Sequence, residues 1–155
     1  MTNKVDMAVT LAGMTMKNPV VVASGTFGFG REYGQFYPID ELGGICVKGL
    51  TVKRRDGNPS PRIAETPSGI LNSVGLQNPG VDKVISEELP KLKACFHKPV
   101  MANVSGFSVA DYAYTCERLD KEEQVGWLEV NVSCPNVHGG GMSFGTCPEA
   151  AAEVT

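Results

Sequence analysis

Four short apolar runs each finish on a polar side chain, and that pattern leaves few architectures open. Val20-Val21-Val22-Ala23 runs into Ser24, and Ile45-Cys46-Val47 runs into Lys48. Pro99–Val104 carries Asn103, and Trp127–Ser133 carries Asn131 and leads to Cys134. Unbroken β-branched runs suit strands buried on both faces, as parallel strands are. Between the second and third runs, Val81, Val84, Ile85, Leu89 and Leu92 recur at helical spacing. Between the third and fourth, Ser108 is placed to cap a helix over Val109–Leu119. Pro148 opens a last helix. Such alternation predicts a parallel α/β fold. Its polar groups gather at the C-terminal ends of the strands, where barrels and open sheets both place ligands. Four such units make half of an eight-unit barrel, and residues 1–155 read as a single domain.

The remaining segments are shorter. Met7–Leu11 and Met14–Met16 flank Ala12-Gly13 and predict a small hairpin. Arg31–Leu42 reads as helical or irregular. Thr51–Leu71 is a long polar excursion whose pieces Pro61–Thr66 and Gly69–Val74 pair as a second hairpin. Inside it, the basic run Lys53-Arg54-Arg55 reads as a solvated loop.

Composition removes whole classes of function. A net charge of -3 argues against a nucleic-acid backbone or an anionic membrane as partner. Five scattered cysteines, with no C-x-x-C pair, form neither a disulfide framework nor a zinc or iron–sulfur spacing. They fit a reducing cytoplasm. The N-terminus is too polar for a signal peptide, and no run approaches a membrane span. With only His97 and His138 and no H-E-x-x-H, no metal site is expected. Gly28-x-Gly30-x-x-Tyr33 lacks the third glycine of a dinucleotide fingerprint. The loop His138-Gly139-Gly140-Gly141 has the look of an esterase oxyanion loop, but no G-x-S-x-G elbow accompanies it.

The segment Glu129–Asn136, E-V-N-V-S-C-P-N, concentrates the chemistry. Alternation puts Glu129, Asn131 and Ser133 on one face and Val130 and Val132 on the other. Pro135 cannot donate to a ladder, so the strand should stop at Cys134. Cys134 is either a base at a strand end or one more buried small hydrophobe. Lys48 is either a site cation or a lysine snorkelling from a sheet edge. Asn103 and Asn131 either satisfy buried backbone or recognise an amide- or imide-bearing ring, which needs the paired donors and acceptors of a carboxamide.

Several stretches together resemble dihydroorotate dehydrogenase. They are N-P-V-V-V-A-S-G-T-F-G (18–28), K-G-L-T (48–51), G-N-P-S-P-R (57–62) and E-T-P-S-G-I-L-N-S-V-G-L-Q-N-P-G (65–80). A-N-V-S-G (102–106), N-V-S-C-P-N (131–136) and G-G-x-x-F-G-T (140–146) continue the likeness. The cysteine in N-V-S-C-P-N points to class 1, and the wording is most similar to the class 1B catalytic subunit. The resemblance implies a TIM barrel, here its N-terminal half with a short N-terminal hairpin, that binds FMN and oxidises dihydroorotate to orotate in pyrimidine biosynthesis. It implies Cys134 as the base, and Lys48, Asn72, Ser73, Val74, Gly75, Leu76, Asn131 and Asn136 as substrate contacts. It implies Ser24, Lys48, Gly49, Asn103 and Asn131 as FMN contacts. It also implies a partner subunit carrying FAD and an iron–sulfur cluster, which passes electrons to NAD. Because the likeness covers about half of such a barrel, the expectation is a fragment with little activity alone. Two alternatives stand beside this reading: a class 1A enzyme that uses fumarate without a partner, and a non-catalytic half-barrel.

Overall fold

The computed structural model describes residues 5–136 and 142–155. A hairpin opens the chain, β1 (Val9–Leu11) against β2 (Met14–Met16). Ala12 and Gly13 both hold positive φ (47° and 81°), the geometry a two-residue hairpin turn requires. β3 (Val21–Val22) follows, then two 3-10 turns at Tyr33–Gln35 and Ile39–Glu41, then β4 (Gly44–Leu50). A second hairpin, β5 (Ile63–Thr66) with β6 (Gly69–Asn72), is exposed along its whole length. The rest is α1 (Val81–Lys83), a π-helical segment (Val84–Glu88), α2 (Leu89–Lys93), β7 (Val100–Val104), α3 (Val109–Leu119), β8 (Val125–Val130), α4 (Met142–Gly145) and α5 (Pro148–Val154).

β3, β4, β7 and β8 form one parallel sheet in that order. Period-two alternation gives the sheet two chemistries. Ile45, Val47, Val100, Ala102 and Val104 are fully buried in a core shared with Val81, Val84, Leu92 and Leu119 from the helices. The opposite face follows the register Cys46↔Met101↔Trp127 and Asn103↔Glu129, and it is mostly polar toward the C-terminal ends. The N-terminal hairpin closes the other end. There the Trp127 indole donates to the Leu11 carbonyl at 3.2 Å.

Three elements differ from expectation. The first strand pairs only over Val21–Val22, not over all of 20–23. The fourth runs Val125–Val130 rather than 127–133. Asn131 N–H makes one last bond to Val104 O, and then its side-chain Oδ1 captures the Ser133 N–H at 3.2 Å. That local turn ends the ladder before Pro135 is reached. The amphipathic run 81–93 is helical as expected but widens to a π turn over Val84–Glu88. Pro90 explains the widening: it has no N–H for the carbonyl four residues back, and its ring would strike that carbonyl in a regular α-helix. The α3 cap matches expectation, with Ser108 Oγ accepting from the Asp111 N–H at 3.2 Å.

Candidate functional site

At the C-terminal ends of the parallel strands lies a cleft of about 350 Å³. Ser24 and Gly25 reach it from the turn after β3, Lys48 and Gly49 from β4, Asn103 from β7, and Glu129, Asn131, Ser133 and Cys134 from β8 and the turn beyond. Leu76 comes in from the long excursion. The strand-end residues singled out from the sequence therefore meet in one place.

Lys48 is no edge lysine. Its strand lies between β3 and β7, and the ammonium sits 3.4 Å from where a side chain on Gly25 would begin. Gly49 sits at a register shift in the β4–β7 ladder. A Cβ there would lie 2.8 Å from Asn103 Oδ1 and 3.3 Å from Ser105 Oγ, so a larger residue would push the amide away. Asn103 is buried, and its Oδ1 accepts from Asn131 Nδ2 at 3.2 Å. Asn131 is thus held at four atoms: backbone N to Val104 O, side-chain N to Asn103, side-chain O to Ser133, and backbone O to the Tyr112 hydroxyl at 2.7 Å. A ligand approaching this pair meets amides already fixed in orientation, which lowers the entropy cost of recognition.

The other expected contacts form a rim rather than the floor. Asn136 Nδ2 bonds Asn72 at its side-chain oxygen (3.4 Å) and its carbonyl (3.5 Å). Asn58 Nδ2 ties Ser73 O and Asn136 O together at 2.9 and 3.2 Å. Val74 O accepts from Asn58 N–H, and Gly75 packs on the Asn58 amide. Of the run 72–76, Leu76 alone reaches the cleft. The loop 138–141 lies outside the described residues.

Two features escaped the sequence reading. Glu129, on the same face as Asn131, lines the cleft and accepts a 2.6 Å hydrogen bond from the buried Cys46 thiol across β7. Burial pushes that thiol up to about 12, and the Glu129 carboxylate adds to the rise. The period-two pattern placed Glu129 on this face, but nothing local signalled its contact with Cys46. Within the basic run read as a solvated loop, Arg55 is partly buried. It pairs backbone with Asn78, and its guanidinium lies 4.5 Å over the Phe107 ring, a cation–π contact between residues far apart in sequence.

The residue types present suit a flavin and an anionic imide ring. A close backbone approach at Gly25 and Gly49, a cation and two fixed amides face the same region, and a buried Ser105 hydroxyl without a partner lies beside Gly49. Among the described residues no group of three or more metal-ligating side chains occurs.

The family model described as dihydroorotate dehydrogenase matches residues 6–155. The dihydroorotate dehydrogenase B (NAD(+)) catalytic subunit of Anoxybacillus flavithermus is 54% identical over 149 residues, which are 96% of this chain and 47% of that protein. The protein of the same description from Enterococcus faecalis is 50% identical, over 96% of this chain and 48% of its own length. The chain thus spans about half the length of the curated relatives it matches. A crystal structure of DHODH in complex with ferulenol from Eimeria tenella superposes with a TM-score of 0.68 over 89% of this chain and 39% of that one. At 23% identity that likeness speaks for the fold alone. With the family model spanning nearly all of it and a half-barrel that fits the superposition, this chain belongs to the dihydroorotate dehydrogenase family.

Proposed function

We propose that the cleft serves the oxidation of dihydroorotate to orotate in pyrimidine biosynthesis, with FMN as the bound flavin. The observation that carries this reading is the convergence of one thiol, one ammonium and two interlocked amides on a single cleft. When bound, the flavin supplies a hydride acceptor for C6 of the substrate.

Cys134 takes the proton from C5, so that a C5–C6 double bond forms as both hydrogens leave. Lys48 offers its ammonium to the anionic ring. Asn131 and the rim formed by Asn72, Ser73, Val74, Gly75, Leu76 and Asn136 hold the ring's imide and carboxylate groups. Ser24, Gly49, Asn103 and Asn131, with Lys48, face the flavin. Lys48, Gly49 and Asn103 stand on the strands themselves, and Asn131 and Cys134 follow directly from β8 in a turn pinned by the Asn131 side chain, which helps fix their spacing.

The relatives' description as catalytic subunits supports a partner. We take it to carry FAD and an iron–sulfur cluster and to pass electrons to NAD, since the five cysteines here are scattered. No helix among the described residues is long and apolar enough to cross a membrane, and we propose the cytoplasm as the setting.

The test is anaerobic bleaching of flavin by dihydroorotate at saturating FMN. Cys134→Ala should slow it by roughly 10²–10⁴-fold, the usual worth of a positioned base. Bleaching at the wild-type rate would remove Cys134 from that role.

A further inference from the structure

We propose that Tyr112 is a positioning residue that staples the C-terminal ends of β7 and β8 and so aims the turn bearing Cys134. The proposal rests on the functional reading only in giving Cys134 a chemical task. The geometry stands without it.

Tyr112 lies on α3, behind the sheet, and is only 1% exposed. A buried phenol needs a hydrogen-bond partner. It finds one across the layer boundary, donating to Asn131 O at 2.7 Å. That carbonyl belongs to the residue whose side chain holds both Asn103 and the Ser133 N–H. The turn from Asn131 to Cys134 is therefore gripped from the helix side by Tyr112 and from the cleft side by Asn103.

The same ring packs against the end of β7. A Cβ on Gly106 would come within 2.9 Å of Tyr112 Cδ2 and 3.0 Å of Cε2, so only glycine lets the ring lie there. Burial raises the phenol's pKa, a backbone hydrogen bond from Gly106 opposes the rise, and the nearby Cys134 adds to it. The phenol thus stands between the end of β7, which carries Asn103, and the turn after β8 that leads to Cys134. Phe144 of α4 meets it edge-on, with centroids 5.6 Å apart, and fixes the ring from the far side. An aromatic with a single buried hydroxyl is a stiff link, because it has only two rotatable bonds to order.

The experiment needs neither flavin nor turnover. Alkylation of the 155-residue chain by iodoacetamide is followed from pH 6 to 10, with each cysteine read by peptide mass spectrometry. Cys95, at the end of α2 and away from the cleft, is the internal control. Tyr112→Phe should speed Cys134 alkylation roughly three- to tenfold, the scale of one lost hydrogen bond. It should also move the pH profile of Cys134 and leave Cys95 as it was. Gly106→Ala, which keeps the hydroxyl but displaces the ring, should do the same. An unchanged Cys134 rate and profile in a folded Tyr112→Phe chain overturns the proposal. So does an equal acceleration at Cys95 and Cys134, which marks general loosening. Because the readout is alkylation, failure here leaves the base assignment untouched, and failure of the Cys134→Ala bleaching test leaves the staple untouched.

Discussion

Cys46, inside β4, and Cys134, in the turn beyond β8, are set to different uses by their surroundings. Cys46 is 3% exposed and donates to the Glu129 carboxylate, and burial followed by that carboxylate holds its thiol up to about 12. In the unfolded chain the same thiol ionises near 9.0. Above that pH the unfolded state binds fewer protons than the folded one, so folding loses stability as pH climbs from 9 to 12 and keeps it in full below 9. The melting temperature of the wild type should therefore fall across that window more steeply than that of Cys46→Ala. Glu129→Gln should lower the Cys46 pKa only in part, because burial is the larger cause. Alkylation of Cys46 against pH reads that directly. Gly49 makes a steric prediction at the same scale. Gly49→Ala drives a methyl against Asn103 Oδ1, and overpacking of this kind costs about 1–3 kcal/mol. Denaturant melts should show that loss, and the Asn103–Asn131 pair should lose its register with it.

At the level of elements, caps and breakers decide where the periodic pattern stops. Ser108→Ala removes the side-chain acceptor of the Asp111 N–H, leaving it only the Ser108 carbonyl, and should cost about 1 kcal/mol, seen as a lower urea midpoint with an unchanged slope. That cap, the N-terminal hairpin and the parallel order of β3, β4, β7 and β8 were legible because each depends on residues close together or on simple alternation. The early end of β8 was not, because it turns on Asn131 preferring its own downstream amide to another ladder bond. The π turn had its signal in Pro90, which periodicity alone overlooks. The site was legible as a set of strand ends, since Ser24, Lys48, Asn103, Asn131 and Cys134 do converge. The roles of Glu129, Tyr112 and Arg55 were not, because each is defined by a contact with a residue distant in sequence: Cys46, Asn131 and Phe107.

Across the whole molecule, charge is distributed in a way that bears on which part of a flavin the chain can grip. The cleft offers amides, a carboxylate and close backbone approach, which suit the ring. Among the described residues lining it, Lys48 is the one cation. A phosphate dianion calls for clustered cations or a free helix N-terminus. None of the described residues lining the cleft belongs to the first turn of a helix. The ring should therefore dominate what affinity this chain has. We expect riboflavin and FMN to bind it with similar, modest affinity and neither to be held stoichiometrically at micromolar concentration. Flavin fluorescence titration at two salt concentrations distinguishes the cases. Equal curves for the two flavins, with little salt dependence, match a cleft that seats only the ring. FMN binding tenfold or more tighter than riboflavin, about 1.4 kcal/mol, and weakening with salt, would mean that residues of this chain seat the phosphate after all.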